Sequence, residues 1–297
     1  MDLVTTSSGR HLEVLCQGPE DGFPLVYHGG TPSSAEPFAL LERALAGAGL
    51  RLITYSRPGY GGSTPRPDRD RPWQVADDVP DTVAILDELG VGEFVTLGWS
   101  GGGPRALACA ALLPRRCRAA LSLAGVAPYA VPGLDWTAGM GPENIRDFEA
   151  SLSGRAALEP LIEEQVAEMA RGTAANLAEM FGELVDEVDA RALTGEVADY
   201  LARSNRRASR QGAVGLLEDN LTIVEPWGFD LAEIRVPVSI WQGSHDLMVP
   251  PAHGRWLAAH VPGARVHLFD EEGHISLWTR VDEMLAELRE LAGLAPA

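Results

Sequence analysis

The chain runs to 297 residues with 45% hydrophobic content, enough for one large domain or for a domain carrying an inserted subdomain. Its formal net charge of −18 argues against nucleic acid or an anionic membrane as a partner, because either requires a basic face; solubility is the plain reading of the acidity. All 24 basic residues are arginine, which excludes Schiff-base catalysis, a pyridoxal phosphate anchor, a serine–lysine dyad and a phosphate loop ending in lysine.

The first eight residues hold no basic segment followed by an apolar one, so no signal peptide is read, and a cytoplasmic protein is expected. No apolar run reaches membrane-spanning length. Leu12-Glu13-Val14-Leu15-Cys16 alternates as a half-buried strand at a sheet edge does. Pro24-Leu25-Val26-Tyr27-His28 is a short apolar strand halted at Gly29-Gly30. Residues 38–50 have a helical pattern, and Leu52-Ile53-Thr54-Tyr55 is a strand stopped by Pro58-Gly59-Tyr60-Gly61-Gly62. Residues 73–89 place Val75, Val79, Val83, Leu86 and Leu89 on one helical face. The strand Phe94-Val95-Thr96-Leu97, a helix over 104–112 and the strand Ala119-Ala120-Leu121-Ser122-Leu123 follow.

Strands alternating with helices of this length predict an α/β protein with a mostly parallel sheet flanked by helices. The alternation stops after Ala127. Residues 128–230 read as successive helices, rich in Ala, Glu and Leu, and are expected to form a helical lid inserted into a core made of 1–127 and 231–297. Alternation resumes with Pro237-Val238-Ser239-Ile240-Trp241, a helix near 254–260, a strand over 264–269 and an amphipathic helix over 277–291; Pro296 and Ala297 read as a frayed end. Cys16, Cys109 and Cys117 are odd in number and lack metal-ligand or Cys-x-x-Cys spacing, so they read as buried small hydrophobes in a reducing compartment.

Gly98-Trp99-Ser100-Gly101-Gly102 stands between a strand and a helix. That context separates a nucleophile elbow from an ordinary glycine-rich turn, because a serine on a sharp strained turn tolerates only small neighbours. The following helix aims its N-terminus at Ser100, where unpaired N–H groups favour negative charge. A serine hydroxyl needs a base and the base an orienting acid. His274, in the loop after the last strand, and Asp246, after the strand before it, fall at the same carboxyl edge of the sheet. The order Ser100, Asp246, His274 is the one this architecture uses. His28 is expected to hold the Gly29-Gly30 loop, whose backbone N–H groups point at the substrate oxygen. Gly30 is the first choice for one oxyanion donor, with Thr31 behind it, and Gly101 is the other.

His28-Gly29-Gly30, Arg57-Pro58-Gly59-Tyr60-Gly61-Gly62-Ser63, the Ser100 pentapeptide, Gly243-Ser244-His245-Asp246 and Gly273-His274 together resemble the α/β-hydrolase fold family in its soluble, lidded form. The resemblance spans nearly the whole chain apart from the lid. It implies a cofactor-free enzyme with a serine triad of Ser100, Asp246 and His274. The family's branches with an aspartate nucleophile, haloalkane dehalogenases and epoxide hydrolases, are not matched, since this chain has Ser100 at that position.

The expected activity is hydrolysis of an ester, thioester or lactone of a small, mostly apolar molecule. Two alternatives stand beside it. His28-Gly29-Gly30 followed by Pro32 resembles the His-Gly-Gly-Pro-Gly loop of proline iminopeptidases, with Thr31 intervening here, and a non-catalytic ligand-binding member of the fold is the other. The 57–62 loop lacks the six-residue dinucleotide pattern and reads as a turn. With no His-x-His or His-Glu-x-x-His, no metal is expected. In the lid, Trp136, Met140, Phe148, Met169, Met180, Phe181 and Trp227 are candidates to line an apolar pocket. Glu163, Glu164, Glu168 and Glu179 read as solvated faces, or in a minority reading as carboxylates that bind a substrate amine.

Overall fold

Apolar runs without polar alternation make strands covered on both faces, which is the composition of a parallel sheet. The computed structural model of the protein describes residues 1–67 and 71–295, so Pro296 and Ala297 lie outside the described residues. Among them, eight strands form one sheet: β1 (Asp2–Thr5), β2 (His11–Gln17), β3 (Phe23–His28), β4 (Leu50–Tyr55), β5 (Phe94–Trp99), β6 (Cys117–Leu123), β7 (Val238–Gly243) and β8 (Arg265–Phe269). Their spatial order is β1-β2-β4-β3-β5-β6-β7-β8. The six strands from β4 to β8 run parallel, while β2 pairs antiparallel with β4 and β1 antiparallel with β2. The chain's α/β class, with a mostly parallel sheet flanked by helices, is therefore seen directly.

Leu12–Cys16 is indeed in a strand, but β2 is not the edge. The short β1 covers it, with Asp2 opposite Val14 and Thr5 opposite His11. Cys109 and Cys117 are buried, whereas Cys16 is only half-buried because it lies toward this end of the sheet.

Helices α1 (Ala39–Ala48), α2 (Val79–Glu88) and α3 (Gly103–Leu112) connect the first strands. Between β6 and β7 the chain leaves the sheet for α4 (Pro142–Ser153), α5 (Arg155–Met169), α6 (Leu177–Phe181), α7 (Glu187–Ala192), α8 (Gly195–Ala208) and α9 (Val214–Val224). It then returns through α10 (Pro251–His260) and closes with α11 (Val281–Leu291). One core layer joins Leu25, Leu52 and Leu97 to Leu41 of α1 and Leu285 of α11; the other joins Val26, Ile53 and Ile240 to Ile85, Leu107 and Leu257 of α2, α3 and α10. Successive strand residues thus feed opposite layers, as the pleat demands. Among the described residues, no helix is long and apolar enough to cross a membrane.

Candidate active site

β5 is buried along its whole length and ends at Trp99. Ser100 then adopts φ 56°, a left-handed conformation that a residue with a Cβ takes up at a cost of about 1–3 kcal/mol. A 3-10 turn over Ser100–Gly102 leads directly into α3, with Pro104 in its first turn, where a missing N–H costs nothing. The glycines are required by close approach. A Cβ on Gly98 would stand 2.2 Å from the Gly102 carbonyl oxygen, and one on Gly102 would stand 2.0 Å from that of His28.

His274 and Asp246 come from the loops after β8 and β7. His274 Nδ1 and Asp246 Oδ2 are 2.8 Å apart, and both side chains are buried. The other carboxylate oxygen of Asp246 accepts the backbone N–H groups of Met248 and Val249 at 2.9 and 2.7 Å, and Gln242 Nε2 donates to Oδ2 at 3.0 Å. The Asp246 carboxylate is therefore held from several sides with one oxygen facing the imidazole. Burial by itself lowers the His274 pKa, but the Asp246 carboxylate, with help from Asp189, outweighs it and holds the ring above its ordinary value.

Asp189, on α7, went unread in the sequence. It is buried, and its carboxylate accepts the backbone N–H groups of His274 at 2.7 Å, Ile275 at 2.8 Å and Ser276 at 2.9 Å. Burial raises its pKa against the pull of those hydrogen bonds. Gly273 is needed beside it, because a Cβ there would meet the Asp189 carboxylate at 2.5 Å. On the far side of the loop, Trp99 Nε1 donates to the His274 carbonyl at 3.1 Å.

Gly30 closes the site opposite the elbow: a Cβ there would stand 3.3 Å from Ser100 Cβ. Gly101 is equally close to the same loop, with a Cβ placed 2.4 Å from Thr31 Oγ1. His28 lies behind this loop. Its Nε2 is 3.7 Å from Cys109 Sγ, and burial with the nearby Arg57 charge lowers its pKa to about 3, so it is a neutral ring away from the cavity. The 57–62 loop is a turn, but sequence reasoning passed over Arg57, whose buried guanidinium donates to the carbonyls of Gly29 at 2.8 Å and Gly30 at 2.6 Å.

Ser100, Gly30, Gly101 and His274 line one cavity of about 260 Å³; Asp246 stands behind His274. Of the apolar lid residues singled out in the sequence, Met140, Phe148, Met169, Met180 and Phe181 line it. Trp136 sits one layer back against Phe148, and Trp227 packs on Phe229 in the core layer of α2 and α3. Glu163, Glu164 and Glu179 are exposed; Glu168 is exposed too but borders the cavity. Two carboxylates on α4 also face it. Glu143 Oε2 and Asp147 Oδ1 are buried and take no hydrogen bond from the described residues, with Arg146 Nε 3.9 Å from Asp147 Oδ1.

The sequence pattern described as the alpha/beta hydrolase fold matches residues 24–281. The chain is 30% identical over 232 residues to the pimeloyl-[acyl-carrier protein] methyl ester esterase of Aromatoleum aromaticum, covering 76% of this chain and 81% of that one. It is 28% identical over 289 residues to the 2-hydroxy-6-oxononadienedioate/2-hydroxy-6-oxononatrienedioate hydrolase of Klebsiella pneumoniae, covering 94% and 91%. Among solved structures, a hydrolase from Pseudomonas aeruginosa PA01 superposes with a TM-score of 0.70 at 20% identity, covering 98% of each chain, a likeness of fold.

Proposed function

The chain belongs to the alpha/beta hydrolase fold family, and on that premise we propose that it is a serine hydrolase acting on an ester, thioester or lactone of a small, mostly apolar molecule. Ser100 Oγ attacks the carbonyl carbon while His274 Nε2 takes the hydroxyl proton. Asp246 accepts the Nδ1–H of His274, which holds the tautomer with Nε2 free, and stabilises the imidazolium. The N–H groups of Gly30 and Gly101 receive the oxyanion, each typically worth about 3 to 4 kcal/mol. His274 then returns its proton to the leaving alcohol or thiol, giving an acyl-enzyme. Water, deprotonated by His274, cleaves that intermediate to the carboxylic acid and restores Ser100. No step calls for a cofactor.

The observation that carries this reading is the 2.8 Å contact of His274 Nδ1 with Asp246, with His274 facing the same cavity as a serine held at φ 56°. Residues 128–230 act as a lid in it, since α4, α5, α6, α8 and α9 all contribute to the cavity wall. A methyl ester esterase among the relatives supports an ester as the substrate bond. A panel of p-nitrophenyl esters from acetate to octanoate tests the reading. Turnover of at least one, abolished in Ser100→Ala, is expected; ester turnover that survives in Ser100→Ala overturns it.

A second reading is favoured by the two α4 carboxylate oxygens that face the cavity without a hydrogen bond. Asp147 Oδ2 accepts from Gln165 Nε2 at 2.5 Å, but a buried carboxylate oxygen without a hydrogen bond is costly, and an ammonium group would supply one to Glu143 Oε2 and Asp147 Oδ1. An aminopeptidase of the proline iminopeptidase kind would then cleave prolyl p-nitroanilide faster than p-nitrophenyl butyrate.

A further inference from the structure

We infer that Asp219, on α9, is a positioning residue for the oxyanion site, acting through Arg57 and Arg105 on the peptides that flank both donors. The inference rests on the serine-hydrolase reading above. Asp219 is buried, and its carboxylate takes hydrogen bonds from Arg57 Nε, from Arg105 Nη2 at 2.8 Å, from Tyr60 Oη at 3.1 Å and from Thr31 Oγ1 at 3.0 Å. Arg57 then grips the Gly29 and Gly30 carbonyls, and Arg105 Nη1 grips the Gly101 carbonyl at 2.5 Å.

Peptide planarity turns these contacts into aim. In a trans peptide the C=O and N–H point in opposite directions. Holding the Gly29 carbonyl therefore fixes the Gly30 N–H, and holding the Gly30 carbonyl fixes the Thr31 N–H. Arg105 anchors Gly101 from its carbonyl side, next to the elbow. One carboxylate thus sets the geometry of two loops that are far apart in the chain, and oxyanion donors contribute only when they are already aimed.

Charge adds a second effect. Arg105 Nε bonds Asp78 at 2.9 Å, and Arg66 bonds the other Asp78 oxygen. Three buried guanidinium groups meet two buried carboxylates, an excess of one positive charge in the network that holds the Gly29, Gly30 and Gly101 carbonyls. Burial alone would raise the Asp219 pKa, but Arg57 and Arg105 override it and lower it to about 2, so the carboxylate stays charged wherever the enzyme works. The helix that carries it is also seated tightly. A Cβ on Gly215 would stand 2.6 Å from the Tyr60 ring, so α9 rests directly on the 57–62 loop.

Asp219→Asn is the test, because it keeps the shape while losing the charge and one acceptor. The expected result is a folded protein whose kcat on a p-nitrophenyl ester falls by roughly 100- to 1000-fold, the scale of one lost oxyanion donor, with KM within about threefold. A boronic acid, which makes a tetrahedral adduct with the serine, should weaken in parallel, whereas a bound product acid should not. Arg57→Lys, which keeps the charge but cannot span two carbonyls and a carboxylate, should show the same split if Asp219→Asn folds poorly. A kcat within threefold of wild type, or loss of fold in both variants, overturns the inference. The crystal structure of Asp219→Asn reads positioning without turnover: the Gly29–Gly30 and Gly30–Thr31 peptides should rotate. If Ser100→Ala kept its activity, the serine reading would fall, while rotated peptides would still establish the positioning role.

Discussion

The carboxylate of Asp189 lies 2.7 Å from the backbone nitrogen of His274, although 85 residues separate them. The loop carrying the proposed base is therefore pinned by α7, outside the sheet that delivers the loop. The same anion also favours the protonated form of the His274 imidazole, a sign that can be tested.

Ser100→Ala should lower turnover of a p-nitrophenyl ester by about 10⁴-fold or more, with the melting temperature unchanged or slightly raised. The rise would come from relief of strain at φ 56° only if the backbone relaxes. A fluorophosphonate should label wild-type Ser100, and His274→Ala should largely prevent the labelling. Mass spectrometry of the labelled peptide checks the site, and modification elsewhere would remove Ser100 from its proposed role.

The pH profile follows from the direction of the His274 shift. Asp246 and Asp189 both raise its pKa, against burial, so the neutral base prevails only above the ordinary imidazole value of 6.5. Activity should rise with pH along a single limb whose midpoint lies above 6.5. Asp219, at about 2, titrates far below this range and contributes no second limb. A midpoint below 6, measured as kcat/KM, would contradict the balance of charges around His274.

Asp189→Asn separates the two carboxylates beside the imidazole. The amide keeps one acceptor oxygen for the loop N–H groups while losing the charge. The acid limb of kcat/KM should therefore move to lower pH, because the imidazolium loses one of its two anions. Its buried charge is itself disfavoured by desolvation, so stability should fall by less than for Asp189→Ala. A limb that stays in place would show that Asp189 acts on the loop alone.

Legibility in the sequence followed the range of each interaction. β5 and the elbow are local, since an apolar run and glycines two positions either side of Ser100 are all they need. Asp246 and His274 were placed by chain order at the sheet edge, without any knowledge of their contact. β1 escaped because four residues, Asp2–Thr5, carry too little alternation to mark a strand; only pairing with β2 defines it. Asp189 and Asp219 escaped for a different reason: each acts on a loop remote in sequence. A signal for Asp219 did exist. Glu218-Asp219-Asn220 interrupts an otherwise apolar helix, and all three are buried, which requires partners. Arg57 was hidden by its turn, whose glycines account for the backbone but not for a buried guanidinium.

Two glycine substitutions distinguish the site from the scaffold beneath it. Gly30→Ala adds a methyl 3.3 Å from Ser100 Cβ and 3.7 Å from Ser100 Oγ, contacts that small shifts can absorb. The protein should fold with a melting temperature within a few degrees of wild type. Its kcat/KM should fall more than tenfold, most for the bulkiest acyl groups, because the methyl stands over the attacking oxygen. Gly102→Ala instead drives a methyl to 2.0 Å from the His28 carbonyl oxygen and 2.6 Å from that of Gly29. Those atoms belong to β3 and to the loop it feeds, so neither can swing aside as a side chain would. Overpacking of this kind costs about 3 kcal/mol or more, roughly 6 °C or more in melting temperature for a chain of this size. Thermal unfolding of both variants beside their ester kinetics decides the matter. Equal stability losses would mean that the elbow relaxes around Gly102, and that its close approach to β3 is not what fixes Ser100.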